Sequence, residues 1–131
     1  MKVLDSDVCI EILRGRSAVI DRRARETDDV ATTWITASEL FFGAAKSAKP
    51  ETNAALVVQF LGTLPVLGPD LASAQLFGEV KAKLSAAGTL VADADLFIGS
   101  IAIGRGATLV TGNRKHYERI PGLVVEDWLR P

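Results

Sequence analysis

Short apolar runs alternate along this chain with longer stretches of helical periodicity, and that alternation is the strongest constraint on its fold. VLD (3–5), VATTWI (30–35), PVLG (65–68), ATLVTG (107–112) and LVVEDWL (123–129) read as strands. Between them, VCIEILRG (8–15), SAVIDRRARE (17–26), TASELFFGAAKSA (36–48), ETNAALVVQFLGTL (51–64), DLASAQLFGEVKAKLSAAG (70–88) and DADLFIGSIAIGRG (93–106) read as helices. Gly15, Pro50, Pro65 and Gly88 punctuate helix ends, and Asp70 is placed to cap the start of its helix. Strands joined through helices line up in parallel, with the helices covering the sheet. The expectation is an α/β fold of three layers, a parallel sheet flanked by helices on both faces, with residues 1–131 forming a single domain.

No apolar run approaches the roughly 20 residues of a membrane span. The start, one lysine followed by two acids, does not read as a signal peptide. Cys9 is the single cysteine and falls on an apolar helix face, so it reads as a buried free thiol. No internal disulfide can form, which suits the cytoplasm. With 15 Lys+Arg against 16 Asp+Glu, the formal net charge is −1, unlike that of a protein that coats DNA. That balance still leaves room for separate basic and acidic zones.

In open sheets of this class, ligands sit beyond the carboxyl ends of the strands. Here those ends carry acids. Asp5 closes the first strand, Glu39 lies four residues past Ile35, and Asp93 and Asp95 begin the helix before the fourth strand. Asn113 follows Thr111 at the end of that fourth strand. Oxygen donors from separate segments, converging on one edge, are what a hard cation such as Mg²⁺ or Mn²⁺ requires. Two carboxylates about 4–5 Å apart repel by roughly 3–4 kcal/mol at an effective dielectric of about 20. Convergence is therefore expected to raise at least one of their pKa values.

Each acid also has a purely structural reading. Asp7 is placed to cap a helix beginning at Val8, Glu39 to close a capping box with Thr36, and Asp93 to cap its own helix. Asp5 and Asp95 fit such readings poorly. Asp5 stands at a buried strand end. Gly99 and Ala102, four and seven residues beyond Asp95, form a small-residue strip that lets the helix lie close to its neighbour and half-bury that carboxylate.

Other chemistries find little support. His116, the only histidine, lies in the basic stretch RKHYER (114–119) and reads as exposed or as a phosphate contact rather than a general base. No Ser–His–Asp triad is credible around it. Gly104-Arg105-Gly106 is too short for a phosphate-binding loop, and one Cys with one His does not make a zinc site. DSDVC (5–9) has a superficial likeness to the DxDx[TV] start of haloacid-dehalogenase phosphatases. Cys9, however, stands where Thr or Val belongs, and no later pairing of a lysine with two acids follows. A receiver-like phosphorylation switch would need a late Lys-Pro pair, which is absent.

Four segments resemble a known family. LDSDVCIEILRG (4–15) resembles the LDTNVLIxLLxG opening of PIN-domain ribonucleases. ITASELFFGAAKS (35–47) resembles their second motif, an acid before leucine with a downstream glycine, and DADLFIGSIAI (93–103) resembles their DxxIAxxA helix. TLVTGNRKHYERIPGLVVEDW (108–128) resembles the closing TxNxxHFxRIPGLxxxxW of the VapC toxins within that family. The matches run in order over the whole chain.

The resemblance implies a PIN-like fold and a Mg²⁺-dependent endoribonuclease, with Mn²⁺ able to substitute. It implies the toxin of a type II toxin–antitoxin pair, a homodimer held in check by a VapB-type antitoxin in a larger assembly. Asp5, Glu39 and Asp95 carry over as the metal-binding acids, with Asp93 as an auxiliary one. On that reading Glu39 holds the attacking water or acts as base. Ser6, Thr111 and Asn113 orient ligands and water, and Arg114, Lys115 and Lys46 hold RNA phosphates. Two departures stand out. Asp7 replaces the usual asparagine and adds charge, and Asn113 occupies a position that is Asp in many PIN domains, which weakens the case for a second firmly held metal. The alternative within the family is a binding-only domain. Such domains usually lose acids, whereas this chain keeps all three principal ones.

Overall fold

The computed structural model describes residues 1–130. Five strands form one sheet: β1 (Lys2–Leu4), β2 (Val30–Thr33), β3 (Val66–Leu67), β4 (Thr108–Val110) and β5 (Val124–Glu126). Their spatial order is β3-β2-β1-β4-β5, and every pairing is parallel. The helices between them are α1 (Ser6–Leu13), α2 (Ser17–Arg25), α3 (Trp34–Ala45), α4 (Pro50–Leu61), α5 (Leu71–Ala86), α6 (Asp93–Gly104) and the single turn α7 (Arg114–Tyr117).

Successive strand residues face opposite sides of the sheet, and two cores follow from that. Val3, Ala31, Leu67 and Leu109 pack with residues of α5, α6 and α7 on one face. Leu4 and Val110 pack with α1 to α4 and Trp128 on the other. The three-layer expectation is met. Every buried side-chain nitrogen or oxygen among the described residues has a hydrogen-bond partner. Cys9 is buried and free, and burial pushes its thiol up to about 12. No helix among the described residues is long and apolar enough to cross a membrane.

Helix starts are where the sequence expectation needs correction. α1 begins at Ser6, not Val8, with Asp5 as its cap; α3 begins at Trp34, with Thr33 as its cap. In both places the extended backbone that ends the strand is also the conformation an N-cap needs, so strand passes into helix with no linker. Asp7 therefore lies inside the first turn of α1 rather than capping it. Glu39 falls beyond the first turn of α3, so no capping box with Thr36 forms. Ala92, not Asp93, is the cap residue of α6. Asp70 does cap α5, exchanging hydrogen bonds with Ser73. The strands are shorter than read: β2 gives up Trp34 and Ile35 to α3, and β5 ends at Glu126. α7 had no counterpart in the sequence reading.

Thr33 Oγ1 accepts the N–H of Thr36 at 3.2 Å and is fully buried. Thr33→Ala is expected to cost about 1 kcal/mol in urea unfolding, while Thr33→Ser stays within a few tenths of a kcal/mol. An unchanged Thr33→Ala midpoint would show that α3 does not depend on this cap.

Candidate active site at the carboxyl edge of the sheet

Strand order reverses beside β1, with β2 and β3 laid to one side and β4 and β5 to the other. That switch point, between the ends of β1 and β4, is where open parallel sheets leave a crevice. Leu4 pairs with Val110, and the Asp5 N–H donates to the Val110 carbonyl at 2.9 Å. Asp5 and Thr111 are thus the next residues along two adjacent strands.

Asp5 is 5% exposed and is held on both oxygens. Its Oδ1 accepts the Ser6 N–H at 2.8 Å. Its Oδ2 accepts Thr111 Oγ1 at 2.8 Å and the Tyr117 hydroxyl at 3.0 Å. Burial, and then the charge of Asp7, push its pKa up to about 6, against the pull of these three donors. A carboxyl of the set is raised, but by burial and Asp7 rather than by repulsion among the converging acids.

Asp7 does not share the Asp5 donors equally. Its Oδ2 accepts the Gly112 N–H at 2.8 Å, its Oδ1 accepts the Val8 N–H at 2.8 Å, and Thr111 Oγ1 lies 3.5 Å from that Oδ1. Burial raises its pKa as well. A side chain at Gly112 would meet Leu129 Cδ1 at 2.7 Å and Asp7 Oδ2 at 3.0 Å, so glycine is what lets the backbone come this close. Arg130 grips the same residue from the other side, donating to the Gly112 carbonyl at 2.8 Å.

Asp95 lies in the first turn of α6, where the helix dipole favours an anion. Its side chain is 23% exposed. The small-residue strip works as expected: a side chain at Gly99 would meet Ile120 Cδ1 at 3.0 Å. Asp95 Oδ1 lies 3.3 Å from the Tyr117 hydroxyl, and Asp95 Oδ2 lies 3.3 Å from His116 Nδ1. Glu39 stands on the open side. Desolvation raises its pKa, the Ser6 hydroxyl opposes that, and the charge of Asp95 adds to it. Ser6 Oγ also reaches Thr36 Oγ1 at 3.4 Å.

The structure therefore gathers Asp5, Asp95, Glu39, Ser6 and Thr111. It does not gather Asp93, which pairs with Lys81 Nζ at 2.9 Å. Asn113 is exposed and contributes only backbone, its N–H donating to Thr111 Oγ1 at 3.0 Å. Arg114 and Lys115 are exposed on α7; Lys46 is exposed at the end of α3, over the Phe42 ring. Tyr117 and His116 are the residues that sequence reasoning missed as site members. The available signal was spacing: Tyr117 and Ile120, three apart in a charged run, are both buried.

Among the described residues, no three Asp, Glu, His or Cys side chains are drawn tightly enough together to hold an ion as they stand. The chemistry of the set nonetheless suits a hard cation. All its anionic donors are carboxylate oxygens, and burial, followed by the charge of Asp7, raises the pKa of Asp5 above the ordinary range. Beside Glu39 opens a cleft of about 570 Å³ between α1, α3 and α4, lined by Ile10, Leu13, Phe42 and Leu56 with Arg14 and Lys46.

Comparison with known proteins bears on this arrangement. The PIN domain family model matches residues 2–123. A protein named tRNA(fMet)-specific endonuclease VapC, from Salmonella typhimurium, is 38% identical over 127 residues, covering 96% of each chain. Ribonuclease VapC2 of Haemophilus influenzae is 33% identical over 128 residues, covering 97% of each. The crystal structure of DNA-bound VapBC from Salmonella typhimurium superposes with a TM-score of 0.91 at 37% identity, covering 97% of both chains.

The raised Asp5 sets a pH dependence. Its folded-state value of about 6 exceeds the ordinary 3.8, so between these values the folded chain binds more protons than the unfolded one. Stability from this group is thus lost as pH rises from about 4 to about 6, a penalty on the order of 3 kcal/mol at neutrality. Thermal melts in chelator should show the protein gaining stability from pH 7 to pH 5. Asp5→Asn, which keeps an N-cap oxygen, should melt higher than the parent at pH 7 and lose most of that gain. A parent whose melting temperature falls from pH 7 to pH 5 would contradict this account.

Proposed function

Since this chain belongs to the PIN-domain family, among the VapC ribonucleases, we propose that it is a metal-dependent endoribonuclease and the toxin of a type II toxin–antitoxin pair. The observation that carries the site assignment is Asp5: a buried carboxylate at the switch point of the sheet, raised in pKa, with Asp95 one hydroxyl away and Glu39 within reach of the Asp95 charge. Asp5, Asp95 and Glu39 are the residues that would hold Mg²⁺, or Mn²⁺ in its place. When bound, such an ion supplies Lewis-acid stabilisation of the phosphoryl oxygens and an acidified water.

The chain's own residues have roles of their own. Asp5 is fixed by Ser6 N–H and Thr111 Oγ1, so its position does not depend on side-chain rotation in solvent. Glu39, exposed and with its pKa raised, orients the attacking water and accepts its proton. Ser6 steadies Glu39, and Thr111 steadies Asp5. Arg114, Lys115 and Lys46 hold phosphates on either side of the scissile bond. Lys115 shares a pocket of about 240 Å³ with Asp95, His116 and Arg119, which brings cationic groups next to the carboxylates. Asp93, paired with Lys81, serves as an auxiliary acid at most through the field at the start of α6. Asn113 acts through its backbone rather than as a ligand.

The partner is a VapB-type antitoxin. The exposed apolar residues Ile10, Phe42 and Leu56 around the cleft beside Glu39 give such a partner a seat, and covering that cleft also closes the approach to the acids. A homodimer, and a larger assembly with the antitoxin, are the states in which the protein would be held.

Cleavage of RNA, with initiator tRNA tested first, should require Mg²⁺ or Mn²⁺. Asp5→Asn, Glu39→Gln and Asp95→Asn should each reduce the rate by about 100-fold or more, the scale of losing one preorganised electrostatic element. A soluble Asp95→Asn variant that cleaves at the parent rate would remove Asp95 from the site. Replacing Arg114 and Lys115 together by alanine should lower the salt slope of RNA binding by about 0.7 per lost phosphate contact. An unchanged slope would mean that these side chains are only solvated.

A further inference from the structure

Tyr117 is placed unlike any other side chain of the site. Its ring is 1% exposed and packs with Leu96, Leu109 and Ile120 in the core beneath α6. Its hydroxyl emerges from that core at the sheet edge, 3.0 Å from Asp5 Oδ2 and 3.3 Å from Asp95 Oδ1. A phenol has one proton to donate. Whichever carboxylate receives it, the same oxygen lies between the two acids and is held there by a ring that cannot turn away.

The sheet does not do this by itself. Asp5 follows β1 and Asp95 belongs to α6, elements separated along the chain by two other strands and five helices. Thr111 contacts Asp5 but not Asp95, and His116 contacts Asp95 but not Asp5. Among the described residues the Tyr117 hydroxyl alone lies within hydrogen-bond distance of both.

We propose that Tyr117 is a positioning residue of the metal site: its hydroxyl ties the carboxylates of Asp5 and Asp95 into one preformed pair for a divalent cation. The proposal rests on the metal-site reading of Asp5 and Asp95 given above. Partners that orient a ligand from behind are worth about 10-fold to 100-fold in metal affinity. The motif that residues 108–128 resemble has phenylalanine at this position, so the ring's packing is satisfied without the hydroxyl.

Tyr117→Phe deletes only the oxygen. Calorimetric titration of Mn²⁺ into the metal-stripped protein should give binding about tenfold weaker in Tyr117→Phe than in the parent. Melts in chelator would establish that the variant is folded. A parent that takes up no Mn²⁺ would overturn the metal-site reading and this proposal with it. A parent that binds, with a folded variant binding as tightly or more tightly, would overturn the proposal alone. A variant that only melts lower at unchanged Mn²⁺ affinity would do the same, leaving Tyr117 a packing residue. Should Tyr117→Phe fail to fold, the parent itself supplies the test. The chain has one tyrosine, so 3-fluorotyrosine reports on this hydroxyl alone. Its ¹⁹F resonance should move with the midpoint of a Mg²⁺ titration, and a resonance unmoved at saturation would overturn the proposal.

Discussion

A carboxylate at the end of the central strand has to be kept out of water and still charged enough to work, and much of the site is arranged around that requirement. Asp5 sits where β1 ends and α1 begins, so its backbone completes the sheet while its side chain caps the helix. Thr111 reaches it from β4, the neighbouring strand, and Tyr117 from α7. Each donor comes from a different element, and each element is aimed by the sheet order. Had β4 not lain beside β1, none of the three residues would meet.

The same arrangement explains how the site separates two kinds of acid. Asp5 and Asp95 are backed by protein on their inner side, whereas Glu39 stands in the open with only Ser6 behind it. Asp5 is buried and Asp95 half-buried, with a neutral hydroxyl between them, and keeping Asp5 charged in that dry place is expensive in isolation. An exposed carboxylate is cheap and mobile. On the proposed metal-site reading, that backing suits Asp5 and Asp95 to cation binding, and exposure suits Glu39 to exchanging protons with water.

Much of the layout was legible in the sequence. Alternating apolar runs and helical stretches indicated the parallel three-layer sheet; strand ends offered Asp5, Glu39, Asp93, Asp95 and Asn113, and the resemblance narrowed the metal-binding acids to Asp5, Glu39 and Asp95. Less legible were the points where one residue does two jobs. Asp5 and Thr33 are strand ends and helix caps at once, and a pattern scan assigns each residue to one element. Tyr117 escaped because its ring reads as core and its surroundings read as a solvated charged run; only the tertiary fold brings its hydroxyl to the acids. Asp93 and Asn113 erred in the opposite direction. Both have the right composition and chain position, but Lys81 holds one and exposure leaves the other to act through its backbone.

Asp7 and Tyr117 are best understood together. Each differs from the motif its segment resembles, aspartate for asparagine and tyrosine for phenylalanine, and both act on Asp5. The first adds a negative charge whose effect on Asp5 is second only to burial; the second adds a hydrogen-bond donor that opposes it, after the stronger pull of Ser6 and Thr111. Asp7 is itself restrained, one oxygen on the Gly112 N–H and the other on the Val8 N–H, and so cannot swing toward a cation without releasing the turn after β4. Arg130 holds the far side of that turn through the Gly112 carbonyl. The added charge is thus fixed as a strut between α1 and the β4 end rather than left free to turn. A strut that repels Asp5 is tolerable only where Asp5 has donors enough to stay in place, and the Tyr117 hydroxyl is the donor that the resembled motif lacks.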